Sequence, residues 1–118
     1  MSDYGGKQAW QEELYELLRS NDVNLFCYVP DGGHKTLINK SIEDPDVISV
    51  PLTTEEEGVA MCAGCHLGGA KSVLLMQSSG VGNCVNMFAL LKNGQFPFVA
   101  LITMRGEFGE MNPWQLPM

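Results

Sequence analysis

The sequence has 118 residues, of which 45% are hydrophobic and 18% charged, and its formal net charge at pH 7 is −7. This length and composition predict one globular domain over residues 1–118 with a single hydrophobic core. Nucleic-acid binding relies on the neutralisation of phosphates by Lys and Arg, so the acidic balance and the absence of a basic cluster in the sequence argue against a nucleic-acid partner.

The two ends of the chain bear on its location and completeness. The first residues, MSDYGGKQAWQEEL, contain no apolar segment typical of a secretory signal, and no apolar run reaches the roughly 18 residues of a membrane span. We therefore expect a cytoplasmic protein without membrane contact, in which the cysteines are reduced. Since the last residues, NPWQLPM, follow a loop-like stretch with no closing helix or strand, we also expect a truncated chain or a partly ordered C-terminus.

Helices and strands alternate in the first half of the predicted structure. Residues 7–20 predict an amphipathic helix, because their apolar residues recur at helical spacing. Short apolar runs predict buried strands at Leu25–Val29 and Val47–Leu52. Between these strands, the Pro30–Gly33 turn ends the first one and residues 34–42 form a short helix.

The second half continues this alternation. Residues 54–68 predict a buried helix of small apolar residues, with Thr53 or Thr54 as its N-cap and Glu55–Glu57 in its first turn, where negative charge suits the helix dipole. The remaining predicted elements are a strand at Ser72–Gln77, a helix over 81–93, a strand at Pro97–Thr103 and an irregular loop over 104–118.

Continuous apolar strands separated by helices predict an α/β fold, a parallel sheet covered by helices on both faces. In such sheets ligands bind at the carboxyl ends of the strands. Most polar residues suited to chemistry lie in the four segments that the prediction places there, which are Pro30–His34, Thr53–Glu57, Ser78–Asn83 and Arg105–Gln115.

The segment from Cys62 to His66 matches the CxxCH pattern of covalent haem attachment. It lies inside a predicted buried helix without an export signal, and a redox CxxC pair usually sits at a helix N-terminus rather than in its middle. A zinc site would need further ligands, for which Cys27, His34 and Cys84 are left. We therefore favour core packing for both cysteines and predict no metal site, with a redox or metal-binding protein that uses Cys62, Cys65 and His66 as the alternative.

The segment from Gly80 to Gly82 resembles the start of a dinucleotide fingerprint, but Val85 occupies the position of its third glycine. A nicotinamide cofactor is therefore not favoured. The three glutamates of the predicted helix N-terminus are more informative. Since the helix continues into apolar residues, we expect at least one glutamate to point into protein, where burial raises the pKa of a carboxyl and suits it to proton exchange.

Three cationic residues, His34, Lys35 and Arg105, lie at the carboxyl edge of the predicted sheet. Each of them also fits an ordinary surface position. Their shared location favours contacts with an anionic substrate.

Two segments together carry a family likeness: EEGVA from Glu56, followed by Gly64 and a strand, and then SGVGN from Ser79 to Asn83. This order resembles the pyrimidine-binding domain of thiamine-diphosphate enzymes. More narrowly, EEEGVAMCAG, LLMQSSGVGN and RGEFGEMNPWQLPM resemble the alpha subunits of sulfopyruvate decarboxylase, with phosphonopyruvate decarboxylase as a near relative. The likeness covers roughly residues 8–118.

The resemblance implies a thiamine-diphosphate-dependent decarboxylase of 2-oxo acids. It places the glutamate that bonds N1′ of the cofactor's aminopyrimidine on Glu56, two residues before Gly58. A carboxyl at N1′ favours the imino tautomer, which removes the proton from C2 of the thiazolium. Further cofactor contacts are implied at the residues that match the second segment, namely Ser79, Gly80, Gly82 and Asn83.

The sequence lacks the GDG…N segment with which larger family members hold magnesium and the diphosphate. The resemblance therefore implies a hetero-oligomer, in which a separate beta subunit carries the diphosphate-binding domain and holds most of the magnesium site. An anionic 2-oxo acid, first of all sulfopyruvate, is the implied substrate. We expect His34, Lys35, Arg105 and Gln77 to contact it, with His34 as the first choice.

Overall fold

The computed structural model describes the backbone of residues 2–104 and the side chains of residues 9–104. Arg105 and the rest of the predicted C-terminal loop lie outside the described residues. In chain order, the elements are α1 (Ser2–Ser20), β1 (Val23–Tyr28), a 3-10 turn (Gly32–His34), α2 (Lys35–Glu43), β2 (Ile48–Pro51), α3 (Glu55–Leu67), β3 (Lys71–Gln77), α4 (Ser78–Cys84), α5 (Phe88–Gly94) and β4 (Ala100–Thr103).

The four strands form one parallel sheet in the order β2-β1-β3-β4. Phe26 of β1 lies between Ser49 of β2 and Val73 of β3, and Leu75 of β3 pairs with Leu101 of β4. The chain passes from β1 outward to β2 and then crosses back to β3 on the other side of β1. Ligand sites in parallel sheets lie at such a reversal of strand order, outside the carboxyl ends of the two strands concerned.

Successive side chains of a strand point to opposite faces of the sheet, and this alternation divides the core in two. On one face Phe26, Val73 and Leu75 pack with residues of α1 and α2, including Tyr15 and Leu37. On the other face Cys27, Leu74 and Met76 pack with α3, α4 and α5. The predicted α/β fold with helices on both faces is therefore confirmed.

The predicted helix over residues 81–93 is wrong. The chain enters α4 directly after β3, makes a turn at Val85–Met87 and starts a second helix at Phe88. The segment Ser79–Asn86 contains two glycines and two asparagines, which are poor helix formers, so it does not support one long helix. As a consequence, the predicted loop Ser78–Asn83 is helical.

The helix α3 is not buried all round, in contrast to the prediction. Its inner side, with Val59 and Cys62, is covered by the sheet, whereas its outer side is exposed, although beyond the glutamates of the first turn it carries no Asp, Glu, Lys or Arg. Separately, none of the described helices combines the length and the apolarity needed to cross a membrane.

Candidate functional site

The carboxyl ends of β2 and β3 bring the N-termini of α3 and α4 together. Thr54 is the N-cap of α3, which was one of the two predicted positions. The backbone amides of Thr53 and Thr54 both donate to Oε1 of Glu57, each at 2.9 Å. These two bonds to the charged carboxylate lower the pKa of Glu57, the opposite direction from the one expected for a buried glutamate at this helix start. Glu57 therefore caps the helix.

Glu55 faces α4. It is half-buried, and its Oε1 accepts a hydrogen bond of 2.8 Å from Nδ2 of Asn83. A Cβ atom at Gly80 would lie 2.4 Å from Cγ of Glu55, so the absence of a side chain at residue 80 makes room for the Glu55 side chain. The expectation that one glutamate points into protein is thus met by Glu55 and not by Glu56.

Glu56 is exposed, and within the described part of the chain no hydrogen bond joins its carboxylate to another residue. It lies close to the buried thiol of Cys84. Burial, followed by the charges of Glu55 and Glu56, raises the pKa of Cys84 to about 11. The three successive glutamates therefore differ sharply: one caps a helix, one ties α3 to α4, and one presents an unengaged carboxylate at the carboxyl edge of the sheet.

The residues predicted to contact a cofactor lie on α4. Gly80 is buried beneath Glu55, whereas Gly82 and Asn83 are exposed. The hydroxyl of Ser79 donates to Oε1 of Gln77 at 2.7 Å, and both residues are half-buried. The structure thus brings Asn83 and Gly80 against α3, and Ser79 against the predicted substrate residue Gln77.

His34 occupies a different position from the one expected of a substrate contact. Its side chain is only 3% exposed, and Nε2 lies 3.1 Å from the carbonyl oxygen of Met76, so the ring bridges the ends of β1 and β3. Nδ1 is buried and has no hydrogen-bond partner among the residues that the structure describes. Lys35, at the start of α2, is exposed. Of the predicted cations, Lys35 is therefore the one that the described structure presents at the surface.

A second cluster of polar contacts, which was not predicted from the sequence, lies at this edge. The hydroxyl of Thr103 donates to a carboxylate oxygen of Asp31, and Nε2 of Gln11 donates to the carbonyl oxygen of Gly33 at 3.2 Å. A Cβ at Gly33 would lie 2.5 Å from Cγ2 of Thr103. These contacts fix the turn after β1 against the end of β4 and against α1. The glycine pair Gly32-Gly33 marks this turn in the sequence. The residues that contact the turn, Gln11 and Thr103, are distant in sequence and could not be predicted from it.

The CxxCH segment is divided between core and surface. Cys62 is 2% exposed, Cys65 is half-buried, and His66 is exposed with its ring centroid 6.1 Å from that of Phe96. Among residues 9–104, whose side chains the structure describes, no cluster of three or more His, Cys, Asp or Glu side chains is arranged to hold a metal ion. The prediction that Cys62 is a core residue is confirmed, whereas Cys65 is only partly covered.

No family model matches the chain, but comparison with known proteins finds several that are similar to it in sequence. The chain is 40% identical over 106 residues to the sulfopyruvate decarboxylase subunit alpha of Methanocaldococcus jannaschii, covering 89% of this chain and 63% of that protein. It is 38% identical over 108 residues to the subunit of the same name from Methanococcus maripaludis, covering 91% and 65%. The chain therefore spans slightly less than two thirds of the length of these relatives.

A further relative is phosphonopyruvate decarboxylase of Streptomyces viridochromogenes. It is 40% identical over 89 residues, which cover 75% of this chain and 22% of that protein. The likeness to sulfopyruvate decarboxylases extends over more of the chain than this one.

Proposed function

We propose that this chain, a homologue of the sulfopyruvate decarboxylase alpha subunits, is itself the alpha subunit of a thiamine-diphosphate-dependent decarboxylase that converts sulfopyruvate to sulfoacetaldehyde and carbon dioxide. The identity to the named alpha subunits supports the class of reaction. The observation that carries the proposal is the unengaged, exposed carboxylate of Glu56 at the carboxyl edge of a parallel sheet.

The surroundings of Glu56 fit an aminopyrimidine held between two chains. Glu56, Ala60, Gly64 and Leu67 recur at spacings of four, four and three, so they share one face of α3, and all four are exposed. Leu67 is 75% exposed. An exposed apolar stripe that ends in a carboxylate is suited to contact with a beta subunit, which would also remove water from Glu56.

The part that this chain plays is the handling of a proton. Glu56 would donate a hydrogen bond to N1′ of the aminopyrimidine, or accept the proton there. When bound, thiamine diphosphate supplies the electron sink that the loss of carbon dioxide requires. Glu57 and Glu55 keep Glu56 in place, because the first caps α3 and the second ties α3 to α4. Magnesium and the diphosphate are assigned to the beta subunit.

For the anionic substrate, we propose contacts from Lys35, Gln77 and Arg105. Lys35 is exposed and Gln77 is half-buried at the end of β3. His34 is proposed to act from beneath this surface, since its ring bridges the ends of β1 and β3. Cofactor contacts are proposed for Ser79, Gly80, Gly82 and Asn83, among which Gly80 and Asn83 already shape the space beside Glu55.

The substitution Glu56→Gln tests this assignment in the complex of the full chain with its beta subunit. It keeps the shape of the side chain but abolishes proton exchange, so we expect sulfopyruvate turnover to fall by about 10²–10⁴-fold. The matched controls are Glu55→Gln and Glu57→Gln, which remove the neighbouring charges but keep a side-chain oxygen that can accept the bonds from Asn83 and from the amides of Thr53 and Thr54. Because Glu56 should then stay in place, we expect both controls to retain most of the activity. Near-normal turnover of Glu56→Gln, or equal losses in all three variants, would remove Glu56 from the chemistry.

The likeness to phosphonopyruvate decarboxylase supports a second candidate substrate. Both acids carry an anionic group next to the 2-oxo acid, and they differ in the geometry and charge of that group. Aldehyde release from a panel of sulfopyruvate, phosphonopyruvate and pyruvate separates the candidates. We expect sulfopyruvate to have the highest kcat/KM, and a preference for phosphonopyruvate would reassign the substrate while leaving the role of Glu56 intact.

A further inference from the structure

A cavity lies at the opposite edge of the sheet from Glu56. Its volume is about 450 Å³, and it is bounded by the end of α1, the second half of α3, the beginnings of β1 and β3, and the segment before β4. The residues that line it include Leu18, Val23, Cys62, Ala70, Ser72 and Phe98. The lining is mainly apolar, and it contains one thiol, that of Cys62.

Cys62 has a second thiol directly behind it. Its Sγ lies 3.7 Å from Sγ of Cys27 in β1, and the two side chains are 2% and 0% exposed. A disulfide requires sulfur atoms about 2.05 Å apart, so the pair would close through a movement of less than 2 Å. The cysteine that faces Cys62 is therefore Cys27, which lies 35 residues away in sequence, and not Cys65, the other cysteine of the CxxCH segment.

The environments of the two thiols shift their pKa values in opposite directions. The hydrogen bond between the Cys27 and Cys62 thiols, in which either sulfur can be the donor, lowers the pKa of Cys62, and the Ser72 hydroxyl adds to this effect, while burial opposes it. The same hydrogen bond, together with burial, raises the pKa of Cys27. Thiolates are the attacking species in disulfide exchange, so Cys62, which also lines the cavity, is the reactive member.

We propose that Cys62 and Cys27 form a thiol-disulfide site, reached through this cavity, that reacts with small apolar organic disulfides. The cavity admits the reagent, Cys62 is the attacking sulfur, and Cys27 is the resolving sulfur. The product is a disulfide that links β1 to α3. This site is independent of the proposed decarboxylase activity, because it uses neither the glutamates nor the residues of α4.

The reaction proceeds in two balanced steps. The Cys62 thiolate attacks one sulfur of the reagent RSSR, breaks its S–S bond and releases RS⁻, which takes up a proton from solvent to give RSH. The Cys27 thiol then loses its proton to solvent, and the resulting thiolate attacks the Cys62 sulfur of the mixed disulfide. This breaks the bond to the reagent and expels a second RS⁻, which takes up a proton from solvent to give RSH. The protein gives up two electrons and two protons, and the reagent is reduced to two thiols.

Treatment of the full chain with 4,4′-dithiodipyridine tests the proposal, with thiopyridone release and intact mass as readouts. We expect a fast phase that releases two thiopyridones per chain, a protein that is lighter by two hydrogen atoms without an adduct, and a linked Cys27–Cys62 peptide. Cys62→Ser should lose this phase. Cys27→Ser should release one thiopyridone and keep the adduct on Cys62.

Cys65→Ser is the matched control, since Cys65 lies one helical turn away and should not contribute to the fast phase. Ala70→Leu narrows the cavity and should slow that phase without removing either thiol. The proposal fails if the fast phase maps to Cys65 or Cys84, or if a Cys62–Cys65 linkage forms. It also fails if Cys62 reacts only at the rate of global unfolding, as measured by the denaturant dependence of the reaction.

Discussion

The two ends of α3 show how one helix serves two chemically different edges of a sheet. At its N-terminus, three glutamates in a row are separated by their contacts into a cap, a tie to α4 and an unengaged carboxylate. In its second half, the helix carries no acidic residue, and Cys62 packs against Cys27 beside an apolar cavity. The proton exchange that we propose for Glu56 therefore belongs to the carboxyl edge of the sheet, and the thiol chemistry that we propose for Cys62 belongs to the amino edge.

Between its two ends, α3 packs closely on the sheet. Two glycines of the helix allow this packing to be tested. A Cβ atom at Gly58 would lie 2.5 Å from Cδ1 of the fully buried Leu74 and 2.7 Å from Cδ1 of Leu52. At Gly64, which is exposed, a Cβ would meet nothing within 4 Å. The inner side of α3 is therefore fitted to the sheet, whereas its outer side has space.

The largest expected change in stability comes from Gly58→Ala. Because the added methyl group forces α3 away from Leu74, we expect the free energy of unfolding to fall by about 1–3 kcal/mol in urea titrations. Gly64→Ala is the control in the same helix and should raise it by about 0.5–1 kcal/mol, since alanine loses less backbone freedom on folding. Shifts of the same sign in both variants would contradict the close packing of the inner side.

The fold could be predicted largely from local patterns, whereas the site could be predicted only in part. Apolar runs mark all four strands, and the runs are clearest in the central strands β1 and β3, which are covered on both faces and therefore show no polar alternation. The distinct roles of Glu55 and Glu56 were not available from the sequence. Adjacent helical residues project about 100° apart, and which of them meets a partner depends on where Asn83 is placed by α4. The Cys27–Cys62 contact likewise follows from the packing of α3 on β1 rather than from motif spacing.

The capping of α3 by Glu57 can be tested by measuring stability as a function of pH. Its pKa is lowered from an ordinary value of 4.5 in the folded chain, so its contribution to stability is present above pH 4.5 and is lost as pH falls through the folded pKa. Glu57→Gln keeps an oxygen acceptor but does not titrate. We expect the gap in Tm between wild type and Glu57→Gln to shrink from pH 7 towards pH 3, as measured by thermal melts.

Glu57→Ala removes the acceptor altogether, and its Tm should lie below that of Glu57→Gln at pH 7. A gap between wild type and Glu57→Gln that widens on acidification would show that the carboxylate is not the capping group.

The smallest expected effect concerns the tie between α3 and α4, and it distinguishes the glutamates from one another. The Glu55–Asn83 hydrogen bond of 2.8 Å is exposed, so a double-mutant cycle of Glu55→Ala and Asn83→Ala should give a coupling energy of about 0.5 kcal/mol, near the lower limit for such bonds. The matched cycle of Glu56→Ala and Asn83→Ala should give a coupling energy near zero, because Glu56 has no bond to Asn83. If the second cycle shows the larger coupling, then Glu56 is the tie and Glu55 becomes the candidate for proton exchange.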